Sequence, residues 1–395
     1  MVHEVSLPEC KSIVIRKQFV HFVQTGQLLP LGSSVLCSDV EIVNEALSVL
    51  QHAKTLARPE AVIDVHDCGA AYRFMMPLLS VTPGRWLLTG TKRLLLRPIE
   101  ELLDVLRSVG ASVERVPLGW RIEGQRLVAD SLSVDCSRSS QFASALLLSA
   151  PLLNLKELHI SANAASLPYI TMTQACLPYP VTIPEFPYKP TSVGKSGDWS
   201  AAAFWYAVAL LYPQETFLLK NLSLDSVQGD AVAAKWFALM GVKSMEKATG
   251  ILVNATRIQP ELNLDFDLSD NPDLFPVLAA LAALLPAEFR FRHTRNLQYK
   301  ESDRTENLCE QLLPFAEHVA KEDDSFCIKG KPRANFPPQP WLFRTCHDHR
   351  LAMAFLLFGA DARLDDVSCL RKSYPSLTQS LHAFRNAVKG LVDDR

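Results

Sequence analysis

No two cysteines in this chain stand in a Cys-x-x-Cys pair, and the nine present are scattered and odd in number. That excludes a disulfide framework and fits a reducing compartment, with most thiols packed as small apolar groups. No apolar window, 274–286 included, reaches the ~20 residues needed to cross a bilayer. The first residues, Met1-Val-His-Glu-Val-Ser-Leu-Pro-Glu9, have neither a basic nor an apolar signal region, so no signal peptide and a cytoplasmic location are expected. An excess of one charge is missing too: 40 Lys and Arg stand against 42 Asp and Glu, a net charge of −2. A general nucleic-acid or membrane-surface binder is thereby disfavoured, and any positive site must be local. What is there is ordinary globular composition, 48% hydrophobic and 21% charged, with no disorder signature. At 395 residues the chain is long for one core, so two domains are expected.

Several catalytic signatures are also missing. Gly194-Lys195-Ser196 invites a P-loop reading, but Lys189 stands where the first glycine belongs, and the Pro-rich stretch 177–190 precedes it. His347-Asp348-His349 has no companion cluster at metal-ligand spacing, so no metal is expected and capping and orientation of Arg350 is the better use. Cys68 and Cys136 sit near helix starts, which can lower a thiol pKa, but no nucleophile motif surrounds them and packing is the preferred reading. Ser139-Ser140 is not in a Gly-x-Ser-x-Gly elbow, so hydroxyls that donate to a phosphate outrank a serine nucleophile.

A short β-like run, a polar or Gly/Pro punctuation and an apolar helix recur along the chain. Residues 62–65 lead through Asp67-Cys68-Gly69 to the run 72–79, and residues 86–90 lead to Arg97-Pro98, with Pro98 at the first helical position. Ser139-Ser140-Gln141 opens 142–148, Asp198-Trp199-Ser200 opens 201–211, and Gln228-Gly229-Asp230 opens 231–240. Asn271-Pro272-Asp273 opens 274–285, with Asn271 as N-cap, and His347 to Arg350 opens 351–358, which Gly359 stops. Polar residues therefore gather at helix starts, where free amides and the macrodipole favour anions. Many such starts, enriched in Arg, Lys and Ser, suggest helix N-termini converging on one polyanion, although each can be an independent cap. No tandem repeat stands out, so the alternation implies repeated units whose sequences have diverged.

The densest segment is Asn296-Leu-Gln-Tyr-Lys300-Glu301-Ser302-Asp303-Arg304. Leu308, Leu312 and Leu313 follow at helical spacing, Ser302 or Asp303 can cap the first turn, and Lys300 and Arg304, four apart, would share a face. Glu301, a carboxylate between two cations, can take or give a proton. Lys11-Ser12 with Arg16, and Lys372 in Arg371-Lys372-Ser-Tyr-Pro375, are further cationic groups, each more often a solvated face when taken alone.

Taken in order, these segments resemble the motifs of the 3-phosphoshikimate 1-carboxyvinyltransferase, or EPSP synthase, family. Leu7-Pro-Glu-Cys-Lys11-Ser12 through Arg16 resembles its opening motif. Asp67-Cys-Gly69-Ala-Ala-Tyr-Arg73, Leu88-Thr-Gly90 with Arg97-Pro98-Ile99, Ser139-Ser140-Gln141 and Ser166-Leu-Pro-Tyr169 resemble the next four. Asp198-Trp-Ser200, Gln228-Gly-Asp230, Asn271-Pro-Asp273, Lys300 to Arg304, Asp348-His-Arg350 and Lys372-Ser-Tyr-Pro375 complete the set. The likeness spans nearly the whole chain, and the ordered combination is specific where each tetrapeptide is weak.

The resemblance implies transfer of the enolpyruvyl group of phosphoenolpyruvate to the 5-hydroxyl of shikimate 3-phosphate, by addition and elimination through a tetrahedral intermediate, with no metal or cofactor. Two phosphates and two carboxylates would share one site, so fixed cations and helix-start amides must replace their water. Acid/base groups must stand among those cations. The implied phosphoenolpyruvate site is Lys11, Gly69, Arg97, Arg304, Arg350 and Lys372. The implied shikimate 3-phosphate site is Ser12, Arg16, Ser139, Ser140, Gln141, Ser166, Tyr169, Asp273, Asn296 and Lys300. Asp273 would be the base for the 5-hydroxyl, although a first-turn acid complementing the helix dipole would look the same. Glu301, with Lys11, would handle the proton at the methylene carbon.

The fold implied is α+β: two similar domains of repeated strand–helix units, helices inside and sheets outside, with the active site in the cleft between them. Residues 1–9 plus 197–395 would form one domain and 10–196 the other, in a monomer acting on small molecules. There are departures from the family pattern. Glu9 and Cys10 replace Gly-Ser, Asp67 and Ala70 stand where Asn and Thr are common, and Thr91 replaces a common acidic residue. They leave every expected charge-bearing position filled, and they keep open a degenerate, non-catalytic anion-binding relative. A second alternative is the sister enolpyruvyl transferase acting on a UDP-sugar, which lacks the Lys-Glu-Ser-Asp-Arg plus Asp-His-Arg combination and uses a loop cysteine near residue 97, where this chain has none.

Overall fold

The structure, a computed structural model, describes residues 2–32, 37–186, 193–256 and 262–393. The chain divides into two units, Met1–Cys10 with Gly194–Arg395, and Lys11–Val193. Each unit has its own hydrophobic core.

In the unit Lys11–Val193, strand Glu60–Asp64 leads to helix Gly69–Val81, strand Gly84–Thr89, helix Glu100–Ser108 and the hairpin of Ser112–Val116 with Gly119–Gly124. Glu60–Asp64 and Gly84–Thr89 pair in parallel, and Gly119–Gly124 lies antiparallel between Gly84–Thr89 and Ser112–Val116. The same order recurs in the other unit with Leu262–Asp267, Ala287–Arg292, Ser325–Gly330 and Ala316–Lys321. It recurs again with Val2–Ser6, Thr216–Lys220, Gly250–Ala255 and Val242–Lys247, the N-terminal strand taking the first place. Among the described residues, sequences with no visible repeat thus build one topology three times. One side-chain requirement does recur. A Cβ on Gly124 would stand 1.8 Å from the Thr82 carbonyl oxygen, and one on Gly330 would stand 2.3 Å from that of Ala282. In both repeats the C-terminal end of the first helix rests directly on the strand backbone, where only glycine fits.

Each sheet is one-sided. In Ala287–Arg292 the buried Ala287, Phe289 and Phe291 alternate with exposed Glu288, Arg290 and Arg292, the period-2 signature of a half-covered strand. The helices Trp199–Leu211 and Phe275–Leu284 carry almost no polar face and are buried nearly all round, which a helix apolar on every side requires. Within each unit the helices are therefore inside and the sheets outside, as expected.

The helix starts fall close to the expected places. Asp198 caps Trp199–Leu211 through the Ala201 amide at 2.7 Å, and Asp303 caps Arg304–Leu312 through that of Glu306 at 3.0 Å. One expectation is corrected and one holds in part. Pro98 is not at a first helical position: the helix begins at Glu100 with Ile99 before it, because the Pro98 carbonyl turns to receive Arg73. Asn271 does stand at the N-cap, with Pro272 after it, but of a 3-10 turn, Pro272–Leu274, and it makes no side-chain cap bond; its amide donates instead to Asp230.

Lys195 Nζ donates to the carbonyls of Lys247 and Ala248 at 3.3 and 2.9 Å, tying backbone rather than cradling phosphate, while Lys189 lies outside the described residues. Burial pushes the Cys136 thiol up to about 12, and Cys68 Sγ accepts from the Ala71 amide at the start of its helix, so these cysteines pack and cap. Among the described residues no helix is long and apolar enough to cross a membrane, and no group of three His, Cys, Asp or Glu is placed to hold a metal ion.

Candidate active site

Five helix-start motifs in the unit containing 194–395 are joined by two runs of hydrogen bonds, which the chain itself connects from Asn271 to Asp273. Gln228 Nε2 donates to the Gly197 carbonyl at 2.7 Å, and the Trp199 amide donates to Gln228 Oε1 at 3.0 Å. Ser200 Oγ donates to Asp230 Oδ2, and Asn271 Nδ2 donates to Asp230 Oδ1 at 3.3 Å. Two residues on, Asp273 receives Arg304 Nη1 on Oδ1 at 2.8 Å and Arg350 Nη2 on Oδ2 at 3.4 Å. Lys300 Nζ stands 3.7 Å from the same Asp273 Oδ1.

Arg304 is the hub, with 1% of its side chain exposed. Its Nε donates to Asp348 Oδ2 at 2.9 Å and its Nη2 to Glu301 Oε2 at 3.0 Å. Asp348, fully buried, also takes Ser302 Oγ at 3.1 Å and the Arg350 backbone amide at 2.9 Å, so it caps His349–Leu356 while gripping Arg304. Two successive non-glycine residues in left-handed backbone, Cys346 (φ 53°) and His347 (φ 56°), set up that cap. Such strain persists only where the surroundings over-determine it.

The electrostatics follow from this packing. Burial alone would raise the Asp273 pKa, but Lys300, Arg350 and Arg304 outweigh it and hold the carboxyl well below its usual range. Arg304 loses solvation, yet Asp348, Asp273 and Glu301 together raise its pKa further. Asp230 goes the other way: burial first, then the Asp273 charge, push it up to about 6, against the Ser200 and Asn271 hydrogen bonds and Arg350. Asp273 is thus an anion at neutral pH, facing Arg304, Arg350 and Lys300. Glu301, partly exposed, receives Arg304 Nη2 on Oε2.

In the unit Lys11–Val193 the expected residues form two clusters one helical turn apart. Arg16, buried, donates to the Ser12 carbonyl (2.9 Å), Ser144 Oγ (3.2 Å), Thr173 Oγ1 (2.7 Å) and the Tyr169 carbonyl (3.2 Å). Ser166 has left-handed backbone, φ 55°, and its carbonyl receives the Tyr169 amide. Three residues before Ser144 on the same helix, Gln141 Oε1 receives Arg73 Nη1 at 2.6 Å, while Arg73 also donates twice to the Pro98 carbonyl. Residues three apart share a helix face, so Gln141–Leu148 links the two clusters. Ser139 Oγ accepts from the Gln141 amide, and Ser140 is buried beside it. At Gly69 a Cβ would stand 2.6 Å from Arg97 Nη1, so the bare backbone is what lets that guanidinium approach the helix start. Lys11 Nζ donates to Asp39 Oδ2 at 2.7 Å, an ion pair mostly out of water.

Asp273, Lys300, Glu301, Arg304 and Arg350 therefore meet in one cluster. Asn296 lies on the short turn Arg295–Tyr299 leading into Lys300, and Lys372 is buried at the end of the turn Ser368–Lys372. One expectation is corrected: Lys300 is extended and precedes the helix, so it meets Arg304 through Asp273 and not along a helix face. Among the departures, Thr91 caps Lys92–Leu95 through the Leu94 amide, and Glu9 accepts from Ser196 Oγ at 3.1 Å. Sequence reasoning assigned no part to Asp39, Ser144 or Thr173, and gave Arg73, Ser200, Asp230 and Ser302 none beyond a motif or a helix start. Arg73, a charge inside the apolar run 72–79, was the detectable one; neutral hydroxyls on helices carry no such signal.

A family model described as EPSP synthase (3-phosphoshikimate 1-carboxyvinyltransferase) matches residues 34–381. The 3-phosphoshikimate 1-carboxyvinyltransferase of Bacteroides fragilis is 32% identical, with 98% of this chain and 96% of that one covered. That of Dehalococcoides mccartyi is 28% identical, with 97% and 96% covered. Among solved structures, the EPSP synthase of Acinetobacter baumannii superposes with a TM-score of 0.68 at 18% identity, covering 96% of this chain and 95% of that one; this likeness concerns the fold.

Proposed function

The chain belongs to the EPSP synthase (3-phosphoshikimate 1-carboxyvinyltransferase) family, and on that premise we propose which of its residues carry each step. The enzyme transfers the enolpyruvyl group of phosphoenolpyruvate to the 5-hydroxyl of shikimate 3-phosphate, in the shikimate pathway to aromatic amino acids. The hydroxyl oxygen bonds to the central carbon of phosphoenolpyruvate while the methylene carbon gains a proton. Phosphate then leaves as that carbon loses one.

Asp273 takes the hydroxyl proton. In the structure it is too well solvated by cations to be a strong base. Substrate phosphate and carboxylate groups draw Lys300 and Arg350 toward themselves, and the proton affinity of Asp273 rises toward working pH. Glu301, with Lys11, gives and later removes the proton at the methylene carbon. Arg304, Arg350, Lys372, Arg97, Lys11 and the Gly69 backbone receive phosphoenolpyruvate. Ser12, Arg16, Ser139, Ser140, Gln141, Ser166, Tyr169, Asn296 and Lys300 receive shikimate 3-phosphate. The same reading has a monomer at work in the cytoplasm on these two small molecules, without nucleic acid.

The observation that carries the assignment is the single guanidinium of Arg304, hydrogen-bonded to both Asp273 and Glu301, which fixes a base and an acid/base carboxylate at one distance from each other. Asp273→Asn and Glu301→Gln keep size and acceptor oxygen but cannot hold the proton. Each is expected to lower kcat by about 10² to 10⁴-fold with little change in either KM. A variant with wild-type kcat would remove that residue from the proton chemistry.

A further inference from the structure

We infer that Asp230 is a positioning residue for Asp273: gripped by Ser200, its carboxylate holds the Asn271 side chain and so fixes the turn through Pro272 that aims Asp273 at Lys300, Arg304 and Arg350. The inference rests on the reading of Asp273 as the base.

Asp230 is buried, ionisable and takes no part in the steps above. An acid in a first helical turn ordinarily accepts from the amides of its own helix. Asp230 does not. Its two oxygens go to two other elements, Oδ2 to Ser200 Oγ and Oδ1 to Asn271 Nδ2. Tying helix Trp199–Leu211 in place does not call for it, because Gln228 already holds the Trp199 amide and the Gly197 carbonyl. What Asp230 supplies is the side-chain anchor for Asn271, a residue at a cap position that makes no side-chain cap bond and whose backbone bonds only to Leu268 and Leu274 among the described residues. From Asn271 the chain passes through Pro272, whose ring locks φ, straight into Asp273. A fixed amide at Asn271 therefore sets the backbone two residues later. The Asp273 carboxylate must in turn meet cations from two directions, Arg304 on one oxygen and Arg350 on the other. A small rotation of that turn misses one of them.

The test is steady-state kinetics on Asp230→Ala, Asp230→Asn, Asn271→Ala and the Asp230→Ala/Asn271→Ala double variant, beside wild type and Asp273→Asn. An asparagine at 230 can still accept from Asn271 while its own amide faces the Ser200 oxygen. Asp230→Ala and Asn271→Ala are each expected to lower kcat by about 10 to 100-fold, the scale of an ångström-level misplacement, with both KM values nearly unchanged. The double variant should be no worse than the worse single one, and Asp230→Asn should recover most of the lost kcat. Wild-type kcat in Asn271→Ala, additive losses in the double, or an Asp230→Asn as impaired as Asp230→Ala each overturn the inference. Should Asp230→Ala fail to fold, Asn271→Ala and Asp230→Asn decide it. Turnover in the wild type with a loss in Asp273→Asn, but none in Asn271→Ala, removes this inference alone. No turnover in the wild type, or none lost in Asp273→Asn, removes the reading beneath it as well.

Discussion

Arg304 Nη1 donates to Asp273 Oδ1 at 2.8 Å from a guanidinium whose remaining nitrogens are held by Asp348 and Glu301. A planar fork between three carboxylates cannot rotate without breaking at least one charge-assisted bond. The position of Asp273 is thereby tied to that of Glu301 and to the cap of His349–Leu356, which carries Arg350.

Lysine in place of Arg304 offers one ammonium where three directions are needed. Arg304→Lys should leave buried Asp348 poorly compensated and lower stability by about 3–5 kcal/mol, the cost of breaking a buried ion pair. Denaturant unfolding measures this. A variant as stable as wild type would mean that Asp348 is satisfied without the fork.

Gly69→Ala brings a methyl within 2.6 Å of Arg97 Nη1 and 3.0 Å of Arg97 Cζ. The guanidinium can swing away at small energetic cost, so folding should survive, and the contact proposed between Arg97 and phosphoenolpyruvate should be lost. The expected result is a KM for phosphoenolpyruvate raised about tenfold, the loss of roughly one hydrogen bond, with the KM for shikimate 3-phosphate little changed. Equal rises in both would show that Gly69 serves the helix start in general.

Asp230 gives stability a pH dependence of definite sign. Its native pKa, about 6, lies above the unfolded value near 3.8, so the native state keeps a proton that the unfolded chain has released. Stability then falls as pH rises through that window and is level above it. The facing groups are Asp273, Arg350, Ser200 and Asn271. Asp273, held below its usual range, acts in the opposite sense and only at more acid pH. Asp230→Asn removes the Asp230 contribution: its stability relative to wild type should grow from pH 4.5 to about 6.5 by at most about 3 kcal/mol and then stay constant. A difference independent of pH would contradict the burial of a charge at this position.

Cys136, pushed up to about 12 by burial, should resist thiol reagents at pH 8 in the native enzyme and react after unfolding. Peptide mapping of labelled native protein checks this. Rapid labelling of Cys136 would place it in an open environment.

The helix starts were legible because capping is local. Asp198, Asp303 and Asp348 each bond an amide within three residues, and a local rule reads local chemistry. The convergence of Asp273 with Lys300 and Arg304 was reached through family resemblance, since no periodicity links residues about 30 apart. Illegible were the contact of Asp230 with Asn271 across 41 residues and that of Thr173 with Arg16 across 157. The extended backbone of Lys300 was missed because Leu308 and Leu312 announced a helix without announcing where it begins. The threefold topology was hidden for a related reason. What each repeat needs is alternation and a bare strand backbone, at Gly124 and Gly330, and many sequences meet that need.

The most direct test is phosphate release from phosphoenolpyruvate, measured with and without shikimate 3-phosphate. The account predicts phosphate only when both are present, in step with formation of the enolpyruvyl product, and its near-complete loss in Glu301→Gln. No phosphate with both substrates present would mean a protein that keeps the cationic cluster without the reaction. Phosphate released without shikimate 3-phosphate would contradict the assignment of the acceptor.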